Sequence, residues 1–351
     1  RDYETDSRER LFGQAGFDYK PVDWINISAR VFMDKYNTLE EERAWPDKLN
    51  GQLGSYSRTE LSHQEFDYQL LATAKKDLSK QFSLNATVGG NIMKQQDDVN
   101  GASITGLNST DPNSMFNLNN GLSPIVPTVL RPRKQINSLF ADATLGYNNV
   151  MFLELTGRND WSSTLPVNHN SYFYPSASYS MIFSNWLSGW KWLSYGKFRA
   201  SVAQIGSDTD PYETSLAYAA PVLFGSSSYI LQSTFLPNNN LRPEKSTEVE
   251  AGLELKFLNN RLGLDFTAYH RITNGLIIPL SISPATGFTN IYENAGNSRN
   301  QGIEVGLSGT PVLTKNFSWT SALNVSMNRS KLLSLEIQGL TTASDYIVGT
   351  A

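Results

Sequence analysis

The 351-residue chain carries 29 lysines and arginines against 33 aspartates and glutamates, with 18% charged residues, 11% aromatics, no cysteine and a formal net charge of −4. That length buries a large core without disulfides, the lack of thiols excludes thiolate metal sites and cysteine nucleophiles, and the mildly acidic balance without a long basic cluster argues against nucleic acid. No apolar run approaches the roughly 20 residues of a membrane helix, which excludes helical spans and leaves barrels open.

The chain opens RDYETDSRER, with no initiator methionine or signal peptide, and reads as a piece of a longer polypeptide. Leu11, Gly13, Ala15, Phe17 and Tyr19 alternate with polar neighbours, the chain turns at Pro21, and Ile25, Ile27, Ala29, Val31 and Met33 return. A polar segment over 37–63 separates this pair from the next. There Phe66, Tyr68, Leu70, Ala72 and Ala74 lead through a turn at Lys76 to Phe82, Leu84, Ala86 and Val88. Residues 95–133, rich in Asn, Ser, Pro and Gly, predict a long functional loop. Leu139 to Tyr147 and Met151 to Leu155 flank an Asn148-Asn149 turn, with a loop near 159–170. A strand over about 172–183, a turn bearing Trp186, Trp190 and Trp192, and a strand from near Lys197 precede a second long loop, 207–245.

The clearest alternation follows. Val249, Ala251, Leu253, Leu255 and Phe257 face away from Glu248, Glu250, Glu254 and Lys256; beyond Asn259-Asn260, Leu262, Leu264, Phe266 and Ala268 face away from Asp265, Thr267 and Tyr269. A loop over 273–297 and strands near 301–309 and 317–328, turning at Pro311, bring the total to about twelve. Short turns alternate with long polar loops, which suits an antiparallel up-and-down transmembrane β-barrel better than a Greek-key sandwich. Aromatics at strand ends (Tyr19, Trp24, Tyr36, Tyr147, Trp192, Trp319) fit either an interfacial girdle or ordinary strand aromatics.

Five stretches carry a family resemblance: GRNDWSSTLP (157–166) with YFYPSASYSMIFSNW (172–186), KFRASVAQIGSD (197–208), LPNNNLRPEKSTEVEAGLEL (236–255), NRLGLDFTAYHRITNGLI (260–277) and NAGNSRNQGIEVGLSG (294–309). In order and spacing over roughly Ile136 to Leu335 the chain resembles SusC/RagA-type TonB-dependent outer-membrane transporters, of the Bacteroidetes type. The resemblance implies an all-β fold, with this chain supplying part of a 22-stranded barrel around a plug. It also implies a bacterial outer-membrane location, a SusD-like lid lipoprotein and energising by the TonB complex. The plug domain, the TonB-contacting segment and the C-terminal strands are expected to lie outside this chain, so that residues 1–351 all belong to the barrel domain.

No enzymatic chemistry is expected. His63, His169 and His270 are isolated, and the Gly-Ser-rich stretches lack the context of a serine nucleophile. Asp208 and Asp210 read as turn residues ahead of a calcium site, because no glycine-centred loop or distal glutamate follows. No cofactor is expected; calcium stays open for the parent complex without support from these residues. Asp142, Glu154, Arg158, Asp160, Glu248, Glu250, Glu254, Asp265, Arg271 and Glu304 are candidates for the lumenal face. There they either touch substrate and plug or form an ion-paired network, the second being favoured. Trp45, Tyr56, Tyr229, Phe235 and Tyr292, placed in loops, are candidates to stack on substrate. The leading function is TonB-dependent import of an oligosaccharide or peptide. The alternatives are an iron-chelate (siderophore) receptor of the same barrel type, which cationic loop clusters would favour, a barrel enzyme and a soluble β-sandwich binding protein.

Overall fold

The computed structural model describes residues 2–47, 49, 51–108, 111, 115–122, 124–187, 189–216, 222–224, 227–229 and 232–335. The strands are β1 (Tyr3–Val22), β2 (Ile25–Ala44), β3 (Ser55–Asp77), β4 (Phe82–Thr105), β5 (Val126–Leu130), β6 (Arg133–Tyr147), β7 (Met151–Ser162) and β8 (Ser171–Met181). They continue with β9 (Leu193–Ser207), β10 (Val222–Phe224), β11 (Ser227–Tyr229), β12 (Phe235–Leu236), β13 (Glu244–Phe257), β14 (Leu262–Ser281), β15 (Asn290–Leu313) and β16 (Ser318–Leu335). Fourteen of them form one sheet in the order β1-β2-β3-β4-β6-β7-β8-β9-β13-β14-β15, with β16 and β12 on β15 and β5 on β4; β10 and β11 pair separately. Among the described residues the long strands number twelve, each of 11 residues or more, as the alternation predicts.

Several expected loops are strand instead. β2 runs to Ala44 and β3 starts at Ser55, so the 37–63 segment shrinks to 45–54; β14 and β15 likewise leave only 282–289 of the 273–297 loop. The cause is length. A transmembrane strand needs about 9–11 residues, and the 24 of β15 extend far past that. Beyond the lipid both faces are polar, as in Glu40-Glu41-Glu42-Arg43 of β2, so pairing continues where alternation stops. The turns expected at Pro21, Lys76 and Pro311 are displaced for a related reason. Those residues lie inside β1, β3 and β15, and Pro311 falls at a register irregularity between Gly309 and Val312, where a missing N–H breaks no ladder bond. The turn after β15 is at 314–317.

The two asparagine turns form as predicted. Asn148 and Asn149 have φ of 50° and 54°, and Asn259 and Asn260 have 55° and 64°, the left-handed values a tight hairpin needs and asparagine tolerates. The second turn locks Phe257 opposite Leu262, and with it the register of thirteen residue pairs up to Lys245 and Asn274.

The chain divides into two compact units. The first comprises residues 1–18, 28–70 and 91–137. One face of it is polar: Asn91 donates to Asp67 at 2.9 Å, His63 meets Asp97 at 2.6 Å, and Arg10 pairs with Asp34. Tyr36 stacks on His63 at 4.6 Å, which places it in this polar group and outside any girdle. A small apolar core of Tyr56, Ile104, Leu107 and Met115, flanked by Trp45, Phe116 and Leu118, pins the connection after β4.

In the second unit, residues 19–27, 71–90 and 138–351, the strands carry many exposed large apolar side chains. Register aligns Leu153, Tyr179, Ala200, Ala251, Ala268, Ile303 and Met327 in one row, and Met181, Phe198, Leu253, Phe266, Val305 and Val325 in another. Val249 is 54% exposed and Met327 64%, whereas Asp160, on the other face, is 6% exposed. This is the reverse of a water-soluble core and the arrangement of a barrel wall, whose lipid-facing positions are apolar. At the short-turn end Trp190, Trp192 and Phe257 form a stacked ladder at 5.2 and 5.5 Å, and Lys76 lies 5.0 Å from the Trp24 ring.

Leu264 sits in an apolar row with Leu255, Leu307 and Leu323, while its neighbour Asp265 is on the polar face. An arginine near the lipid midplane costs roughly 2–4 kcal/mol in such walls. Leu264→Arg is therefore expected to reduce the amount of assembled full-length protein severalfold, and Asp265→Asn to leave it near wild type. Heat-modifiable migration of membrane-extracted protein reads both; equal assembly of Leu264→Arg and wild type would reverse the faces.

Candidate functional site

Opposite the apolar rows, the second unit carries a continuous polar surface. One row runs Glu154, Ser178, Ser201, Glu250, Tyr269, Gly302 and Asn328 from β7 to β16. Adjacent rows hold Arg199, Gly252, Thr267, Glu304 and Ser326 on one side and Thr156, Ser176, Glu248, Arg271 and Asn300 on the other. Glu154, Arg199, Ser201 and Glu250 line a shallow depression of about 230 Å³.

Glycine lets long side chains cross this surface. The Arg199 guanidinium passes over Gly252 of β13 and reaches β14, where it donates to Asp265 at 2.6 and 3.2 Å and to Thr267 at 2.5 Å. A Cβ on Gly252 would lie 2.7 Å from Arg199 Cζ. Tyr269 crosses Gly302 in the same way and meets Asn328 at 3.2 Å. Each crossing ties a strand to its second neighbour, beyond the backbone ladder. Other charges pair locally: Arg271 with Glu248, Lys256 with Glu254 at 3.1 Å, and Ser178 donates to Glu154 at 3.2 Å. Such half-exposed pairs contribute about 0–1 kcal/mol each, with the two-pronged Arg199–Asp265 pair toward the upper end.

The GRNDWSST motif builds a second cluster. Arg158 donates to Asp160 at 2.8 Å and to Ser138 at 2.9 Å, and lies 5.5 Å from the Phe140 ring. Tyr174 of β8 donates to the other Asp160 oxygen at 2.5 Å. Beyond it, the buried Ser162 and Thr164 both donate to Asp208 at the end of β9, at 2.5 and 3.2 Å, and Ser162 N–H bonds the Asn170 carbonyl at 3.0 Å. Asp208 thereby clamps the 163–170 connection to the neighbouring strand.

The lumen candidates thus share one face. Glu154, Arg158, Asp160, Glu248, Glu254, Asp265 and Arg271 are brought into bonded pairs; Glu250 borders the depression, Glu304 stands opposite Thr267 and Ser326, and Asp142 lies two residues along β6 from Phe140. The aromatic candidates scatter. Tyr56 belongs to β3 instead of a loop and is buried in the first unit's apolar core, with Trp45 packed against it. Tyr292 is in β15 and stacks on Phe235 of β12, while Tyr229 lies in β11 and its side chain falls outside the described residues. Sequence reasoning missed Arg199, Tyr174 and the role of Asp208. Arg199 was readable from the alternation of KFRASVA; its glycine saddle was not, because Gly252 is 53 positions away and only register joins them. Among the described residues no group of three potential ligands could hold a metal ion.

Residues 1–346 match a family model described as TonB dependent receptor-like, beta-barrel. TonB-dependent receptor P26 of Formosa agariphila is 27% identical over 341 residues, covering 93% of this chain and 34% of the relative. TonB-dependent receptor SusC of Bacteroides thetaiotaomicron is 32% identical over 113 residues, or 32% of this chain and 11% of SusC. Among solved structures, the RagAB peptide importer in its closed-closed state superposes with a TM-score of 0.81 at 22% identity, over 97% of this chain and 38% of that one. The ferric-catecholate import receptor Fiu of E. coli K12 gives 0.58 at 12% identity, over 95% and 48%. The chain therefore spans about a third of the length of P26, and the structural likenesses speak for the fold.

Replacing Asp208 with alanine lets the buried Ser162 and Thr164 hydroxyls, 3.0 Å apart, satisfy only one donor between them and leaves the other without an acceptor, at a cost of about 1–3 kcal/mol. Faster hydrogen exchange over 163–170, with exchange in β13 and β14 unchanged, is the expected outcome for the Asp208→Ala full-length protein. Unaltered exchange in that connection would show that the clamp holds nothing.

Proposed function

The chain belongs to the TonB dependent receptor-like β-barrel family, and from that membership we propose that it forms part of the wall of an outer-membrane importer for a large polar nutrient, an oligosaccharide or a peptide. Uptake is TonB-dependent, a SusD-like lipoprotein closes the outer mouth, and the protein is a transporter and not an enzyme. The observation that carries this reading is the two-faced wall: exposed apolar rows on one side, and on the other a charged, serine-rich surface from β7 to β16. Lipid suits the first and a hydrated lumen suits the second. Asp142, Glu154, Arg158, Asp160, Glu248, Glu250, Glu254, Asp265, Arg271 and Glu304 then face lumen or plug. The bonding of seven of them to neighbouring side chains supports a mainly structural role, in which fixed pairs hold a wall that substrate passes.

The SusC relative and the motifs over 157–309 support the nutrient branch of the family over the iron-chelate branch. The connections after β4 and β9, 106–125 and 208–243, supply contacts to substrate and lid, since long connections are where function concentrates. Growth of a gene-deleted strain on defined glycans and peptides identifies the nutrient. Replacing 208–243 by a short linker in the full-length protein is then expected to lower uptake to the deletion level while the barrel still assembles. Wild-type uptake by that variant would contradict the assignment of substrate and lid contacts to this connection.

A further inference from the structure

The ends of β9, β12 and β15 gather side chains that the polar wall does not use. Tyr292 and Phe235 stack with ring centroids 5.0 Å apart and planes at 15°. The pair is held by backbone: β12 runs parallel to β15 with Phe235 opposite Asn290, and Asn238 donates from Nδ2 to the Tyr292 carbonyl at 2.8 Å. Leu241, wholly buried, anchors the segment that follows. Phe235 remains 36% exposed, so ring surface is presented on a fixed support.

Carboxylates lie beside these rings. Glu213, in the connection after β9, accepts hydrogen bonds from the Thr209 hydroxyl and from the Tyr292 side chain. Asp210 is exposed and acts electrostatically on both Glu213 and Tyr292. Burial raises the Glu213 carboxyl above the ordinary carboxylate range; the two hydrogen bonds oppose this, and the Asp210 charge adds to it. Among the described residues, the groups acting on Glu213 are Thr209, Tyr292 and Asp210, and none of the three is cationic. Tyr212, next in sequence, is 53% exposed and held at φ +74°, a value that bulky residues rarely adopt. Backbone strain of this kind collects at ligand clamps.

We propose that Phe235, Tyr292, Asp210 and Glu213 form a subsite for a cationic group, the ammonium or guanidinium of a basic peptide, at the long-connection end of the sheet. The proposal rests on the importer reading and narrows its substrate from oligosaccharide or peptide to a peptide with basic side chains. Aromatic faces attract cations through the ring quadrupole, and two neighbouring carboxylates with no basic partner among the described residues gain from the same ligand. A neutral sugar would also stack on the rings but would leave both carboxylates uncompensated.

The test uses full-length protein in detergent and the fluorescein-labelled peptide Gly-Lys-Gly-Lys-Gly, against Gly-Gln-Gly-Gln-Gly and unlabelled maltoheptaose. The lysyl peptide is expected to bind, the glutaminyl peptide to bind about tenfold more weakly or worse, and maltoheptaose not to compete. Glu213→Gln, which keeps the side-chain shape, is expected to raise the lysyl-peptide Kd about tenfold, and Phe235→Ala to do the same with heat-modifiable migration unchanged. Equal binding of the two peptides, an unchanged Kd in Glu213→Gln, or full competition by maltoheptaose would overturn the subsite. Uptake separates this failure from that of the importer reading: a wild-type protein that imports a nutrient yet shows no lysyl preference lacks only the subsite, whereas one that imports nothing is no importer.

Discussion

Inside hydrocarbon a backbone amide finds no water, and each one left unpaired costs several kcal/mol, so a chain that crosses lipid without helices must pair every strand with a neighbour. The rest of this structure depends on that constraint. It sets the sequential order of the long strands from β1 to β9 and on through β13 to β16, and it makes register the quantity that decides everything else. A slip of one residue in β13 would turn Glu248, Glu250 and Glu254 into the place of Val249, Ala251 and Leu255. The asparagine turn at 259–260 matters for this reason: its left-handed residues leave no other pairing for Phe257 than Leu262.

Once register is fixed, the polar face organises itself around small residues. Arg199 reaches Asp265 only because Gly252 has no side chain, and Tyr269 reaches Asn328 across Gly302. Gly206, similarly, lies beneath the Tyr172 ring. Glycine weakens a strand by its entropy, and a side chain laid over it from the next strand restores packing and covers the backbone. The same device keeps Arg199 and Tyr269 flat against the wall and bound to neighbouring strands. At the ends of the strands the Phe235–Tyr292 stack and Glu213 stand clear of that network.

Much of this was legible in the amino acids. Period two in 249–257 and 262–268, the paired asparagines and the count of long strands all follow from local chemistry, and the structure carries each of them. What could not be read is also local in origin. Where β2 passes through Glu40-Glu41-Glu42-Arg43, both faces are polar and nothing marks a strand, so a paired segment resembles a loop. Tyr56 looks like a loop aromatic for the same reason, and only the tertiary contact with Ile104 and Met115 reveals a packing residue. Contacts such as Ser162 with Asp208 join positions 46 apart, and no spacing rule reaches that far.

The central claim is that Val249 and Glu250, adjacent in β13, face opposite media. The chain has no cysteine, so single cysteines carrying a nitroxide label can be placed at either position of the full-length protein without background from this segment. In lipid bilayers, oxygen partitions into hydrocarbon and a nickel chelate stays in water. A label at Val249→Cys is expected to relax mainly with oxygen, and one at Glu250→Cys mainly with the chelate. The opposite order, or equal accessibility at both sites, would contradict the assignment of an apolar lipid face and a polar lumenal face.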